Sequence, residues 1–175
     1  QDAQTVKNLV EETLQTVRDR SQMLRPAILD DFGLMKTLGW FVAQFSKQTG
    51  IDARLDTSLQ DVSFPRDQSI HVYRIVQEAL GNVARHSKAS EARVIIKKDS
   101  QNLHIWIRDN GIGFDVEGKM NRPAGEGFGL MGMQERAQRL DGELRIESIQ
   151  GKGTEVIVQI PLPHAVLAPA GKGLA

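Results

Sequence analysis

The sequence predicts an α+β domain, a layer of helices on one face of a mixed sheet. Three observations point there. Ala92, Val94 and Ile96 alternate with polar residues, as do Leu103, Ile105 and Ile107, and the polar stretch 99–102 between them reads as a hairpin turn. Two further strands, residues 143–148 and 154–160, flank the turn Gln150-Gly151-Lys152-Gly153. The other periodic segments repeat at three- and four-residue steps and are segregated from the hairpins, which is the α+β pattern.

Each element has its own justification. Val6, Leu9, Val10, Thr13, Leu14, Val17, Ser21 and Leu24 recur at helical spacing over residues 2–24, with no Gly or Pro among them. The stripe is narrow, which suits a bundle or coiled-coil seam more than a globular core. Arg25-Pro26 breaks the pattern, because proline disfavours helix in the residue before it. A second helix is expected over residues 32–49, with Leu34, Leu38, Phe41, Val42 and Phe45 on its apolar face and Gly50 as its stop. Residues 51–56 read as a strand. Pro65 opens a third helix, to about His86, with Tyr73, Val76, Leu80 and Val83 inward and the proline in the tolerated first turn. A fourth begins near Gly129, with Leu130, Met133, Ala137 and Leu140 inward. Between them, residues 110–129 are glycine-rich and irregular, a length that is uncommon unless the loop is functional. Residues 163–175, rich in Ala, Gly and Pro, are expected to be a disordered tail.

Composition narrows the function classes. The chain has 175 residues, 40% of them hydrophobic and 25% charged, which suits one soluble domain with a short appendage. Lys plus Arg equals Asp plus Glu at 22 each, and aromatic content is 5%. Neither a basic stripe nor a stacking platform is available, so nucleic-acid contact is not expected. With no cysteine, disulfides, thiolate metal sites and cysteine nucleophiles are excluded. No apolar run approaches the length of a membrane span. The first residue is Gln, so the chain reads as a piece of something longer.

Four clusters can carry chemistry. On the third helix, Glu78, Asn82, Arg85 and His86 share a face apart from the apolar stripe. A carboxylate and a carboxamide suit Mg²⁺, which takes one or two protein oxygens and keeps several waters, and the basic pair suits phosphate. Taken alone, the same four residues also describe an ordinary solvated face. Asp109-Asn110-Gly111-Ile112-Gly113-Phe114 follows a strand directly. A carboxylate there can accept from a ligand amine while the glycines let backbone come close, although an Asn-Gly turn would look the same. Gly125, Gly127 and Gly129 lead into Leu130 and a helix start, where unobstructed backbone N–H groups form an anion site. The spacing fits neither the dinucleotide fingerprint nor the Walker loop. Gly151-Lys152-Gly153-Thr154 is either a plain hairpin or, if Thr154 faces Asp109, a fourth wall of one pocket.

In this order and spacing the four clusters resemble the Bergerat-type ATPases, which include histidine kinases, gyrase, the ninety-kilodalton chaperones and MutL. The polar helix face resembles their N box, residues 109–114 the G1 box, residues 125–130 the G2 box, and Gly151-Lys152-Gly153-Thr154 the closing turn. The match spans about residues 67–162. Residues 77–89, together with Leu24-Arg25-Pro26, Leu29-Asp30 and Gly33-Leu34, are similar to the NarX/DesK-like branch of sensor histidine kinases.

The resemblance implies a two-layer α/β sandwich of Bergerat type, preceded by one helix of a dimerising, histidine-bearing bundle. It divides the chain into a bundle helix (1–26), an ATP-binding catalytic domain (27–162) and the tail. It implies ATP and Mg²⁺ as ligands: Asn82 on the metal with Glu78 in support, Asp109 accepting from the adenine amine, Gly111 and Gly113 beside the base, Thr154 touching the base, and Gly125, Gly127, Gly129 and Leu130 around the phosphates. The loop 116–128 would be a lid, and Arg85 and His86 would contact phosphate. The activity implied is transfer of the ATP γ-phosphate to a histidine, for relay to a response regulator with a helix-turn-helix output domain. The family's acceptor histidine is followed by an acidic residue on the first bundle helix, and none of His71, His86, His104 or His164 fits that description. The fragment is thus expected to bind ATP and ADP without phosphorylating itself. The full-length protein would be a cytoplasmic homodimer, with anchoring in the inner membrane left open. A serine kinase sharing this ATP pocket is the rival enzyme reading, opposed by the seam on the first helix. A decayed interaction module is the other rival, opposed by the retained Asn82, Asp109, Gly113, Gly127 and Gly129.

Overall fold

A computed structural model describes residues 27–59, 65–116, 118 and 128–162. The bundle helix expected over residues 2–24, the tail, Gly125, Gly127 and most of the expected lid lie outside these residues.

The second helix expected over residues 32–49 is helix α2 (Leu34–Thr49), and a short helix α1 (Ala27–Phe32) that the sequence reading did not contain precedes it. Gly33 separates them at φ 79° and ψ 172°, a conformation essentially reserved for glycine. Its carbonyl accepts from both the N–H and the hydroxyl of buried Thr37, which holds the break in place. Gly50 ends α2 in the left-handed region, as its position suggested. Strand β1 (Asp52–Thr57) follows. Helix α3 (Arg66–Asn82) starts one residue after Pro65, which caps rather than joins it. Its last turn, Val83–Ser87, widens to a π-helix, a feature the expected helix to His86 did not contain.

The hairpin β2 (Glu91–Lys98) and β3 (Asn102–Asp109) is as expected, its turn tied by Asp99, whose carboxylate accepts from the N–H groups of Gln101 and Asn102 at 2.7 Å. Helix α4 (Phe128–Gln138) leads into β4 (Glu143–Ile149) and β5 (Gly153–Pro161). The strands form one sheet in the order β1-β2-β3-β5-β4, antiparallel except for β1 beside β2. The fold is thus the mixed-sheet α+β sandwich expected.

One sheet face meets the helices. Val94, Ile96, Leu103, Ile105, Val158 and Ile160 are fully buried there against Leu38, Val72, Val76, Leu80 and Met133. Burying side chains of this size is worth about 1.5–3 kcal/mol each, so the register that puts them inward is strongly fixed. Among the described residues, no helix is long and apolar enough to cross a membrane.

Candidate nucleotide site

The inward rows of the sheet change character at one end. Ile107 pairs with Val156 and Val156 with Ile146, an apolar row. One step on, Asp109 pairs with Thr154 and Thr154 with Ser148, a polar row on the same face. The alternation that builds the core therefore delivers a carboxylate and two hydroxyls to the helix-facing side, at the rim rather than the centre.

Backbone groups hold that row. Asp109 accepts the Gly111 N–H at 2.8 Å and also the Thr154 N–H. Burial pushes its carboxyl above the usual range, and these two donors pull it partly back. Ser148 Oγ takes the Phe114 N–H at 2.9 Å and lies 2.9 Å from Thr154 Oγ1. The two turns are stitched to each other, since Gly151 N–H donates to the Ile112 carbonyl at 2.7 Å.

The glycines here serve packing as much as access. A Cβ on Gly111 would collide with the Ser87 carbonyl, and one on Gly113 with the Ile149 carbonyl. Gly113 also sits at φ 61°. Asn110 is tied down by its side chain, whose oxygen accepts from the Ser90 and Glu91 N–H groups at 3.0 Å, clamping the loop to the start of β2.

The second half of the site lies on α3. Glu78 and Asn82 face the first turn of α4, where a Cβ on Gly129 would collide with the Glu78 carboxylate and approach Asn82 Nδ2 within 3.6 Å. Arg85 folds back from the π-helical turn and donates from one Nη2 to Glu78 Oε1 and to Asn82 Oδ1, both at 3.2 Å. Two oxygens thus converge on a single positive charge. A carboxylate and a carboxamide oxygen are also the kind of ligands that Mg²⁺ takes from a protein, one or two at a time. Among the described residues no group of three or more His, Cys, Asp or Glu gathers for a metal ion, and a site of one carboxylate and one carboxamide does not require it. Ser87, at the end of the π turn, joins the two halves by accepting the Ile112 N–H at 2.8 Å.

The structure therefore gathers Glu78, Asn82, Arg85 and Gly129 at one end, and Asp109, Gly111, Gly113 and Thr154 at the other. Leu130, half-buried, packs on the core beside Gly129, and His86 is exposed on the π turn. Two contributors escaped the sequence reading, Ser148 and Ser87. Ser148 was findable, because it continues the inward alternation Leu144, Ile146 of its strand. Ser87 was not, because its role depends on the π turn.

Residues 67–164 match the family model described as histidine kinase-, DNA gyrase B-, and HSP90-like ATPase. The chain belongs to this ATPase family. Among relatives, it is 36% identical over 157 residues to the sensor histidine kinase LiaS of Bacillus subtilis, covering 90% of this chain and 42% of that protein. It is 37% identical over 157 residues to the signal transduction histidine-protein kinase/phosphatase DegS of Brevibacillus brevis, covering 90% and 40%. With the sensor histidine kinase ComP of Bacillus subtilis it shares 34% over 151 residues, 86% of this chain and 19% of that one. The chain thus spans less than half the length of each of these relatives. Its fold is that of the histidine kinase domain of a blue-light activated kinase from Erythrobacter litoralis (TM-score 0.62, 20% identity, covering 74% of this chain and 61% of that one). The Acinetobacter baumannii histidine kinase AdeS matches at TM-score 0.62 and 17% identity, covering 91% and 83%. The polar row and the Glu78–Asn82 pair both fall within the matched residues.

Proposed function

We propose that this chain is the ATP-binding catalytic part of a two-component sensor histidine kinase, with adenine at the Asp109 end and the phosphates at the Glu78–Asn82 end. The observation that carries the reading is the convergence of Glu78 Oε1 and Asn82 Oδ1 on one positive charge beside the start of α4. Asp109, an acceptor when ionised, takes the adenine amine, and Thr154 touches the base. Asn82 and Glu78 hold Mg²⁺, which when bound offsets phosphate charge. Arg85, His86 and the backbone around Gly125, Gly127 and Gly129 serve the phosphates.

The reaction breaks the bond from the γ-phosphorus to its bridging oxygen and forms a phosphorus–nitrogen bond to an imidazole, releasing ADP. The transition state is loose, so the chain's contribution is to position and neutralise rather than to attack. The acceptor is none of the chain's own four histidines. His71 lies on α3, His86 on the π turn and His104 on β3 against Asp99, and none of the four precedes an acidic residue. It belongs instead to a bundle whose second helix is read in residues 1–26, before an ATP-binding domain of 27–162. A homodimer, a cytoplasmic location and relay to a response regulator with a helix-turn-helix output domain complete the proposal, supported by the resemblance of residues 77–89.

Calorimetric titration with ADP and a non-hydrolysable ATP analogue, with and without Mg²⁺, tests it. Mg²⁺ should tighten binding to the wild type, and Asn82→Ala should lose that gain with an unchanged unfolding curve. An equal loss with and without Mg²⁺ would remove Asn82 from the metal.

A further inference from the structure

Ser148 has more hydrogen-bond partners than a strand serine needs. Its Oγ lies 2.9 Å from the Phe114 N–H, 3.2 Å from the Gly153 carbonyl and 2.9 Å from Thr154 Oγ1. A hydroxyl offers one proton and two lone pairs. The Phe114 N–H can only donate, so it takes one lone pair. The Gly153 carbonyl can only accept, so it takes the proton. One lone pair remains, and Thr154 must then donate its proton to it. All three partners are served in this arrangement alone.

The consequence falls on the pocket. With its proton committed to Ser148, Thr154 Oγ1 has only lone pairs left to present. Asp109, next to Thr154 on the row, is also an acceptor when ionised. The end of the pocket is therefore made of acceptors only. Such a wall matches a purine carrying an amino group, whose two N–H bonds only donate, better than one carrying an oxo group, whose oxygen only accepts and which keeps a single donor on the neighbouring ring nitrogen.

We infer that Ser148 is a positioning residue that sets base specificity: by fixing the direction of the Thr154 hydroxyl, it makes the pocket favour 6-amino over 6-oxo purine nucleotides. This rests on the proposed adenine site at Asp109. Without Ser148, the Thr154 proton is released to turn into the pocket and meet an oxo group.

The test is the ratio of affinities for ATP and inosine 5′-triphosphate, whose bases differ only in the amino-to-oxo exchange and the ring proton that goes with it. Wild type should favour ATP, and Ser148→Ala should reduce that preference about tenfold, in line with one hydrogen bond between neutral groups. Ser148→Thr, which keeps the hydroxyl, should restore it. In a Thr154→Val background, Ser148→Ala should leave the ratio unchanged, because no hydroxyl remains to direct. A Ser148→Ala ratio equal to wild type overturns the inference, as does an equal fall in the Thr154→Val background, which would make Ser148 a structural support only. Absence of ATP binding to the wild type would overturn the adenine site itself and this inference with it.

Discussion

The two ends of the proposed nucleotide site are built by different means. At the base end, Asp109, Thr154 and Ser148 occupy one row across three paired strands, and backbone N–H groups of Gly111, Thr154 and Phe114 aim them. At the phosphate end, Glu78, Asn82 and Arg85 are side chains on one helix that hold one another, with the Arg85 and Glu78 side chains 55% and 33% exposed. The proposed base end is therefore part of the fold, formed wherever the sheet forms. The proposed phosphate end rests on side chains in contact with water, where a cationic ligand would compete with Arg85.

Damage to the base end should accordingly register as lost stability as well as lost binding. The largest effect is expected for Gly113→Ala. The residue needs φ 61° and a Cβ would enter the Ile149 carbonyl, so strand β4 or the loop must move. A loss of about 3 kcal/mol is expected, lowering Tm by roughly 6–12 °C for a chain of this size. Gly151→Ala is the control. It has φ 80° and open space around it, and should cost only about 1 kcal/mol. Thermal unfolding of the two variants separates the packing requirement from the dihedral one, and equal shifts would show that the Ile149 contact is unimportant.

Next in size is Asp109→Asn. Replacing an acceptor-only group by an amide should weaken ATP binding about 10- to 100-fold, the range for a hydrogen bond to a charged group. Burial raises this carboxyl, so the folded protein holds its proton more tightly than the unfolded chain. The ionised form therefore costs stability at neutral pH, a cost relieved as pH falls through the raised value. Binding needs the ionised form, so wild-type affinity should decline on acidification before the pH reaches the ordinary carboxylate value of 3.8. ATP titrates too, so the measurement is the difference between wild-type and variant affinities across pH. A difference that stays constant to below 3.8 would separate Asp109 from the base.

How much of this could be read in the sequence follows the same division. The sheet and its inward rows were legible because a period of two reports which face each residue occupies. Asp109 and Thr154 were legible as members of known boxes, and their juxtaposition needed only the pairing of β3 with β5. The helical region was less so. Helix α1 was not read at all, and it is set off from α2 by the backbone of Gly33, at φ 79° and ψ 172°, which no spacing reports. The π turn adds one residue to a helical repeat, which spacing does not register, yet Ser87, under Gly111, sits on it. Asn110 reads as a turn residue by composition, and its actual use as a clamp on β2 depends on a partner twenty positions away.

The smallest effect on stability is expected where side chains hold only one another. Arg85→Ala removes two 3.2 Å hydrogen bonds at an exposed pair, and exposed ion pairs contribute about 0–1 kcal/mol. Thermal unfolding should shift by no more than about 3 °C. The nucleotide should feel more than the fold does. Without Mg²⁺, Arg85 is the cation that offsets the Glu78 carboxylate beside the phosphates, and its loss leaves like charges facing each other. Mg²⁺ held by Glu78 and Asn82, as proposed, would take that position and partly cover the loss of Arg85. The ratio of ATP affinities with and without Mg²⁺ should therefore rise, by about threefold or more, in Arg85→Ala, while in Asn82→Ala it should fall. If both substitutions move the ratio in the same direction, Arg85 and the metal do not share a position, and the phosphate end would be as fixed as the base end.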